Sequence, residues 1–206
     1  IDRALAAIGT IGDLVPLLGE NRTLVMHGLR CLENLPACPL KDFVESVRGN
    51  APLTSIDVAF KIVPRLNAAG RMAHPMIALD AILKGGEALA ELHKLNSERQ
   101  TFVDELDETV ASLIDPTHSF IVLAHSNITP GTAGLLASRF TERFTRPSLI
   151  IALVGEKAVA SIRSIPDIDA MDCLNDPSVR SLLTSFGGHS QAAGCTFEPK
   201  YIGALQ

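Results

Sequence analysis

Two short stretches combine side chains that can hold an anion with backbone that lets one come close. In Pro64-Arg65-Leu66-Asn67-Ala68-Ala69-Gly70-Arg71 the arginines offer planar donor forks matched to phosphate oxygens. Asn67 can fix local geometry or donate to a ligand, while Ala68, Ala69 and Gly70 leave the backbone open to close approach. In Gly187-Gly188-His189-Ser190-Gln191-Ala192-Ala193-Gly194 the paired glycines let N–H groups converge on an anion. The His189 imidazole can hydrogen-bond a phosphate. Solvated arginines in a surface loop and a structural histidine are the ordinary readings of the same residues.

Other candidates follow the same chemistry. In Ser161-Ile162-Arg163-Ser164-Ile165-Pro166, a strand would put Ser161 and Arg163 on one face, within reach of one phosphate. An edge strand with outward polar residues is the alternative. In Thr129-Pro130-Gly131-Thr132-Ala133-Gly134, the glycines would let a helix N-terminus approach an anion. Arg139, two turns further, would face the same site. Gln100 is either a ligand contact or part of a solvated helix face. Asp13 reads as a helix cap or turn residue unless its surroundings mark it as a metal-bound carboxylate. No GxxxxGK[ST] segment occurs.

The elements that must position these residues are read from periodicity. Helices are expected over residues 2–8, 23–32, 39–47, 55–62, 74–83, 133–145 and 177–185, with turns at 9–13 and 187–188. Residues 64–71 are expected as a loop. Leu89, Leu92, Leu95, Phe102, Val103, Leu106, Val110 and Leu113 form one apolar stripe on a long helix that Asp115-Pro116 ends. Strands are expected over 120–124, 149–154, 158–162 and 195–197. Strands alternating with helices predict an α/β domain. The prolines at 36 and 39 suggest a domain boundary.

The chain has 206 residues, 47% of them apolar and 20% charged, which suits a soluble α/β protein with one sizeable core or a domain plus part of a second. The longest apolar run, residues 149–154, is too short to span a bilayer. No secretory leader is visible, and a first residue of Ile1 is simply explained by truncation. Cys31, Cys38, Cys173 and Cys195 have neither zinc-site spacing nor a disulfide framework, so four small buried thiols in a reducing cytoplasm are expected.

A formal charge of −5 argues against coating nucleic acid by bulk electrostatics. The charge is uneven, however. Residues 86–115 hold eight acidic side chains against Lys94 and Arg99. Residues 139–163 hold Arg139, Arg143, Arg146, Lys157 and Arg163 against Glu142 and Glu156. Tyr201 is the only tyrosine and tryptophan is absent, so backbone recognition fits better than base stacking.

In this order the segments resemble the DHHA1 part of the DHH phosphoesterase superfamily, and within it the RecJ-type single-strand-specific DNA exonucleases. Residues 64–71 resemble that family's R-x-N-A-A-G-R pattern, residues 187–194 its G-G-H-x-x-A-A-G, and residues 161–166 its S-x-R-S-I-P. The segment 95–100 and the one ending Ala137-Ser138-Arg139 also resemble family stretches, with Thr129 standing where a histidine is usual. Residues 9–17, Gly-Thr-Ile-Gly-Asp-Leu-Val-Pro-Leu, are similar to its last metal-binding motif.

The resemblance implies an α/β fold. Residues 1–35 would be the end of a DHH domain and its connector, and residues 36–206 a DHHA1 domain with a mixed sheet flanked by helices. It implies a parent nuclease degrading single-stranded DNA from the 5′ end with two Mn²⁺ or Mg²⁺ ions. Asp13 would be one metal ligand, and Arg65, Asn67, Arg71, Gln100, Arg139, Ser161, Arg163, Gly187, Gly188 and His189 would contact nucleic acid. A 5′-phosphorylated strand and replication or repair proteins are the implied partners. Two other readings stay open. One is a DHH/DHHA1 phosphoesterase acting on oligoribonucleotides or small nucleotides, against which residues 65–71 argue. The other is a non-catalytic replication scaffold of the same fold.

Overall fold

The computed structural model describes residues 1–115 and 117–205. They form two compact units, Ile1–Gln100 and Thr101–Gln206. The first is built of α1 (Asp2–Gly12), α2 (Gly19–Glu33), α3 (Pro39–Val47), α4 (Ser55–Asp57), a π-helical turn (Val58–Ile62), α5 (Val63–Met72) and α6 (Met76–Leu83). The start of α7 (Gly86–Ala111) completes it. The division falls inside α7, whereas the prolines at 36 and 39 mark a corner within the first unit. Leu35 and Leu40, on either side of that corner, lie in one core with Ile8, Phe43, Val58, Ile62 and Leu92.

α1 buries Ala4, Ala7, Ile8 and Ile11 at helical spacing, and α2 buries Val25, Gly28 and Leu32. The expected turn at 9–13 is instead the last turn of α1, with Asp13 as its C-cap. Each helical glycine costs about 1 kcal/mol relative to alanine, but continuing the helix buries Ile11, and burial wins. The two helices touch at backbone distance. A Cβ at Gly28 would lie 2.2 Å from Ala7 Cβ and 2.6 Å from the Arg3 carbonyl oxygen.

Residues 64–71, expected as a loop, are helical. Thr54 starts the run: its hydroxyl accepts from the Asp57 N–H at 3.2 Å, and the Asp57 carboxylate accepts from the Thr54 N–H at 3.0 Å. Pro64 has no N–H to donate within the helix. The π-helical turn just before it re-phases the chain, so the proline sits in the first turn of α5, where that donor has no intrahelical partner to lose. Arg65 Nη1 donates to the Lys61 carbonyl of the π-turn at 2.5 Å.

The second unit takes the end of α7 and then β1 (Ile121–Ala124), α8 (Pro130–Phe144), β2 (Ser148–Val154) and β3 (Lys157–Arg163). It continues with α9 (Ala170–Asn175), α10 (Pro177–Arg180), β4 (Leu183–His189), β5 (Ala192–Phe197), a 3-10 turn (Pro199–Tyr201) and α11 (Ile202–Leu205). The sheet order is β1-β2-β3-β5-β4, with β1 and β2 parallel and the other pairs antiparallel. This is the mixed sheet of an α/β fold. β2 is buried on both faces from Ser148 to Ala152, which is why Leu149 to Ala152 read as apolar without alternation.

Three expectations fail here. The helix expected over 177–185 stops at Arg180, and β4 begins at Leu183. Gly187 and Gly188 lie inside β4, and the turn is Ser190-Gln191. Helix α7 ends at Ala111, before the expected stop, of which Pro116 lies outside the described residues.

One face of the sheet packs Ile150 and Ala152 with Leu136, Ala137 and Phe140 of α8 and Val103, Leu106 and Val110 of α7. The other packs Leu149, Ile151, Ala160, Ile162, Ala193, Cys195 and Phe197 with Ala170 and Leu174 of α9. Of the four thiols only Cys195 is buried, and the other three are half-buried.

The α1–α2 contact makes a direct prediction. Gly28→Ala should destabilise the protein by about 1–3 kcal/mol through overpacking. Gly9→Ala, with nothing within 4 Å of the new methyl, should stabilise it by up to about 1 kcal/mol. Urea unfolding midpoints of the two variants should therefore move in opposite directions.

Candidate nucleic-acid interface

Strand parity decides which residues of the second unit meet. Ser148, Arg163, Ala192 and His189 form one cross-strand row, and Ile150, Ser161, Gly194 and Gly187 form the row two residues away. Both rows lie on the same face of the sheet. It is the face covered by α8, since Ile150 shares the α8 cluster. α8 lies over β2 and β3. Beyond it the floor is made of Gly194, Ala192, Gly187 and His189, the last two exposed. A hollow of about 380 Å³ opens there, lined in part by Ser161, Ser185, Gly187 and Gly194.

At the edge of this hollow α8 and β3 touch. A Cβ built on Gly134 would lie 3.3 Å from Arg163 Nη2 and 3.5 Å from Ser161 Oγ. Glycine at 134 thus eases the fit of the guanidinium between helix and strand, with the hydroxyl at ordinary contact distance. Arg163 is braced further: its Nη1 donates to the Ile162 carbonyl at 2.9 Å, and Thr141 Oγ1 donates to the Arg163 carbonyl at 3.3 Å. The expected use of the helix N-terminus differs. The N–H groups of Thr132 and Ala133 already bond the Thr129 carbonyl at 3.0 and 2.9 Å. Thr129, in place of the family histidine, instead bonds the Thr132 hydroxyl through its N–H at 3.1 Å and its own Oγ1 at 3.0 Å, closing the first turn.

Arg139 does not share this corner. Its Nη2 bonds Asp104 at 2.6 Å and its Nη1 lies 3.5 Å from Asp107, both on α7. Five residues after Gly134, helical geometry turns it well away from β3.

The hairpin that carries Gly187, Gly188 and His189 is held at its tip. Ser164 N–H donates to Gln191 O at 3.0 Å, and Ala170 N–H donates to Ser190 O at 2.6 Å. Gly188 has φ +151°, and a Cβ there would fall 2.4 Å from Ala193 Cα. Gly187 and Gly188 therefore do different things: the first keeps the floor open, the second lets β4 close on β5. Gly194, absent from the candidates read from sequence, belongs to the floor, and strand parity with Ser161 is the signal that could have found it.

The remaining candidates lie in the first unit. On α5, Ala68 and Ala69 are fully buried, so they serve packing and do not open the backbone to a ligand. Asn67 and Gly70 are exposed, with Arg65 and Arg71 half-buried beside them. Burial lowers the pKa of both guanidinium groups, which remain charged. Gln100 is exposed on α7. Asp13 is exposed, next to Gly12, whose absent Cβ would lie 3.3 Å from a Val63 methyl at the start of α5. Among the described residues no three His, Cys, Asp or Glu side chains stand together as metal ligands. One carboxylate does not make a two-metal centre, so the residues of this chain alone do not fit one.

Residues 117–205 match the family described as the DHHA1 domain. This part of the chain is a DHHA1 domain. Across 98% of its length the chain is 34% identical to the single-stranded-DNA-specific exonuclease RecJ of Bacillus subtilis and 36% identical to that of Thermus thermophilus. It spans only 27% and 30% of those two proteins. Its structure is similar to that of RecJ from Thermus thermophilus in complex with Mg²⁺, with a TM-score of 0.88 at 35% identity, over 98% of this chain and 32% of the other. A second crystal structure of the same protein, in complex with Mn²⁺, is equally similar, with a TM-score of 0.88. The chain is a relative of the RecJ proteins.

The two glycines of the DHHA1 hairpin give a test. Gly188→Ala should destabilise the protein by about 1–3 kcal/mol, since the methyl meets backbone at an unfavourable φ. Gly187→Ala, with nothing within 4 Å, should leave the thermal midpoint nearly unchanged.

Proposed function

We propose that this chain is the strand-gripping part of a nuclease that degrades single-stranded DNA from its 5′ end. The observation that carries the reading is the corner where Gly134 admits Ser161 and Arg163, open onto a floor without side chains at Gly187 and Gly194. A guanidinium fork and a hydroxyl on one strand face suit the oxygens of a phosphodiester, and a flat glycine floor admits a sugar-phosphate backbone. The relatives' description as single-stranded-DNA-specific exonucleases supports this choice of ligand. Residues 1–35 are read as the end of a DHH domain. Asp13 would contribute one ligand to the parent's Mn²⁺ or Mg²⁺ centre, a reading supported by the Mg²⁺ and Mn²⁺ complexes of the structural relatives.

In this reading Ser161, Arg163, Gly187, Gly188 and His189 hold the strand or its 5′ phosphate. Arg65, Asn67, Arg71 and Gln100 contact its backbone. Arg139 reaches DNA only in competition with Asp104 and Asp107. A net charge of −5 and a few local cations imply contacts to a small number of phosphates. The protein would work in the cytoplasm alongside replication or repair proteins.

Fluorescence anisotropy with a 5′-phosphorylated oligo-dT measures the grip. Affinity should fall with salt at a log–log slope of roughly −0.7 per phosphate contact, and removing the 5′ phosphate should weaken binding. Arg163→Ala should cost about 1.5–3 kcal/mol, roughly ten- to a hundredfold in affinity, with Arg163→Lys recovering only part. An unchanged affinity in a folded Arg163→Ala variant would refute the corner as the phosphate site.

Hydrolysis is a separate matter. With Mn²⁺ added, this chain should not degrade 5′-labelled single-stranded DNA. Turnover that Asp13→Ala abolishes would contradict the reading of Asp13 as one ligand among several from the parent.

A further inference from the structure

Ser185 of β4 and Thr196 of β5 line the same hollow as Ser161 but take no part in the Gly134 corner. The register places them directly opposite one another, in the row next to Ser161, Gly194 and Gly187, with Val159 as the third member. Directly opposed residues on one face bring their Cβ atoms to about 4.5–5.5 Å, so the two hydroxyls share one place. A bulge in β4 secures it. Leu183 pairs with Phe197, whereas Ser185, two residues on, pairs with Thr196, the neighbour of Phe197. In a regular strand Leu183 and Ser185 would share a face. The extra residue lets Leu183 join Phe197 in the core and keeps Ser185 on the face of the hollow.

The face they belong to suits a polyanion. β5 turns Ala193, Cys195 and Phe197 into the core and leaves Ala192, Gly194 and Thr196 half-buried on the other side. No carboxylate occurs from Lys157 to Arg163 on β3, from Ala192 to Thr196 on β5, or from Ser185 to His189 on β4. The next acid along β5, Glu198, follows the strand and is engaged by Lys200 at 2.9 Å. Along β3 the same face has a cation at each end, Lys157 and Arg163, with Ser161 between them. Rows two residues apart are separated by about 6.6–6.8 Å, comparable with the step between successive phosphates of an extended single strand.

We propose that Ser185 and Thr196 hold the phosphodiester next to the phosphate at the Arg163 corner, so that a single strand crosses the sheet over Gly194 and Gly187. This rests on the single-strand reading given above. The two places differ in chemistry. A terminal phosphate carries up to two negative charges, and the Arg163 fork meets it with a charge of opposite sign. An internal diester carries one charge spread over two oxygens that bear no proton, and two hydroxyls can each donate to one of them. The glycines in the row between leave no side chain to hold the strand off the floor.

The experiment uses the 206-residue chain with EDTA present, so that no metal-dependent cleavage occurs. Three ligands are compared by NMR titration of backbone amides at low salt: thymidine 5′-monophosphate, the 5′-phosphorylated dinucleotide of thymidine, and the same dinucleotide with an uncharged methylphosphonate linkage. Wild type should bind the dinucleotide about fivefold or more tighter than the mononucleotide, and the methylphosphonate should lose most of that gain. Ser185→Ala combined with Thr196→Val should bring the dinucleotide down to the affinity of the mononucleotide and become indifferent to the methylphosphonate. Coupling of this kind between a change in the ligand and a change in the protein marks a direct contact. Ser185→Ala alone, at an exposed position on an edge strand, keeps the fold and should lose part of the same gain.

Arg163→Ala is the control for the corner and should weaken all three ligands. If a folded double variant keeps the wild-type preference for the diester, or wild type binds the dinucleotide no better than the mononucleotide, the subsite is wrong. Loss of binding in Arg163→Ala would then leave the single-strand reading standing. If wild type binds none of the three ligands, the single-strand reading fails and the subsite with it.

Discussion

Everything on the candidate face depends on how closely α8 can approach β3. At Gly134 the helix backbone comes near enough that a methyl would press on Arg163 Nη2 and touch Ser161 Oγ. Helix and strand hold a guanidinium and a hydroxyl between them, beside the apolar cluster that packs under α8. The guanidinium is oriented by its hydrogen bond to Ile162 O, and the Thr141 hydroxyl ties α8 to the Arg163 backbone. Such preorganisation lowers the entropic cost of binding a ligand. It also explains the division of labour on α8, where Gly134 and Thr141 face the strand and Arg139 faces the carboxylates of α7.

Much of this was legible from residue order, for physical reasons that differ by element. Successive residues of β2 are buried on both faces from Ser148 to Ala152, so Leu149 to Ala152 are apolar without alternation, and a run of that kind is hard to miss. The stripe along α7 was legible because each half of the helix buries one face: Leu92 and Leu95 in the first core, Val103, Leu106 and Val110 in the second. The pairing of Ser161 with Arg163 followed from the two-residue period of a strand. β4 left no such signature. It lies at the sheet edge with most of its residues exposed and two glycines inside it, so nothing in its composition distinguishes it from a turn.

The helices of the first unit were misjudged where glycine and proline stood for something other than punctuation. Gly9 and Gly12 lie inside α1, which continues so that Ile11 is buried, and Pro64 is tolerated because a π-turn re-phases the chain ahead of it. Ala68 and Ala69 were read as space for a ligand and turn out to be space for neighbouring core residues. Small residues permit close approach of either kind, and sequence alone does not say which partner approaches. The prolines at 36 and 39 show how a turn can stand without a gap in packing. A proline marks a change of chain direction whether or not the core continues across it, and here Leu35 and Leu40 share one core.

The place of β4 at the rim has a consequence for how the candidate surface behaves. An edge strand has one side of its backbone without a neighbour in the ladder, so its outward amides exchange with solvent more readily than those of β2 or β3. The floor of the proposed interface thus combines a corner locked between α8 and β3 with a border that breathes. A ligand seated there would meet rigid donors on one side and compliant backbone on the other, able to follow an irregular chain without loosening the grip.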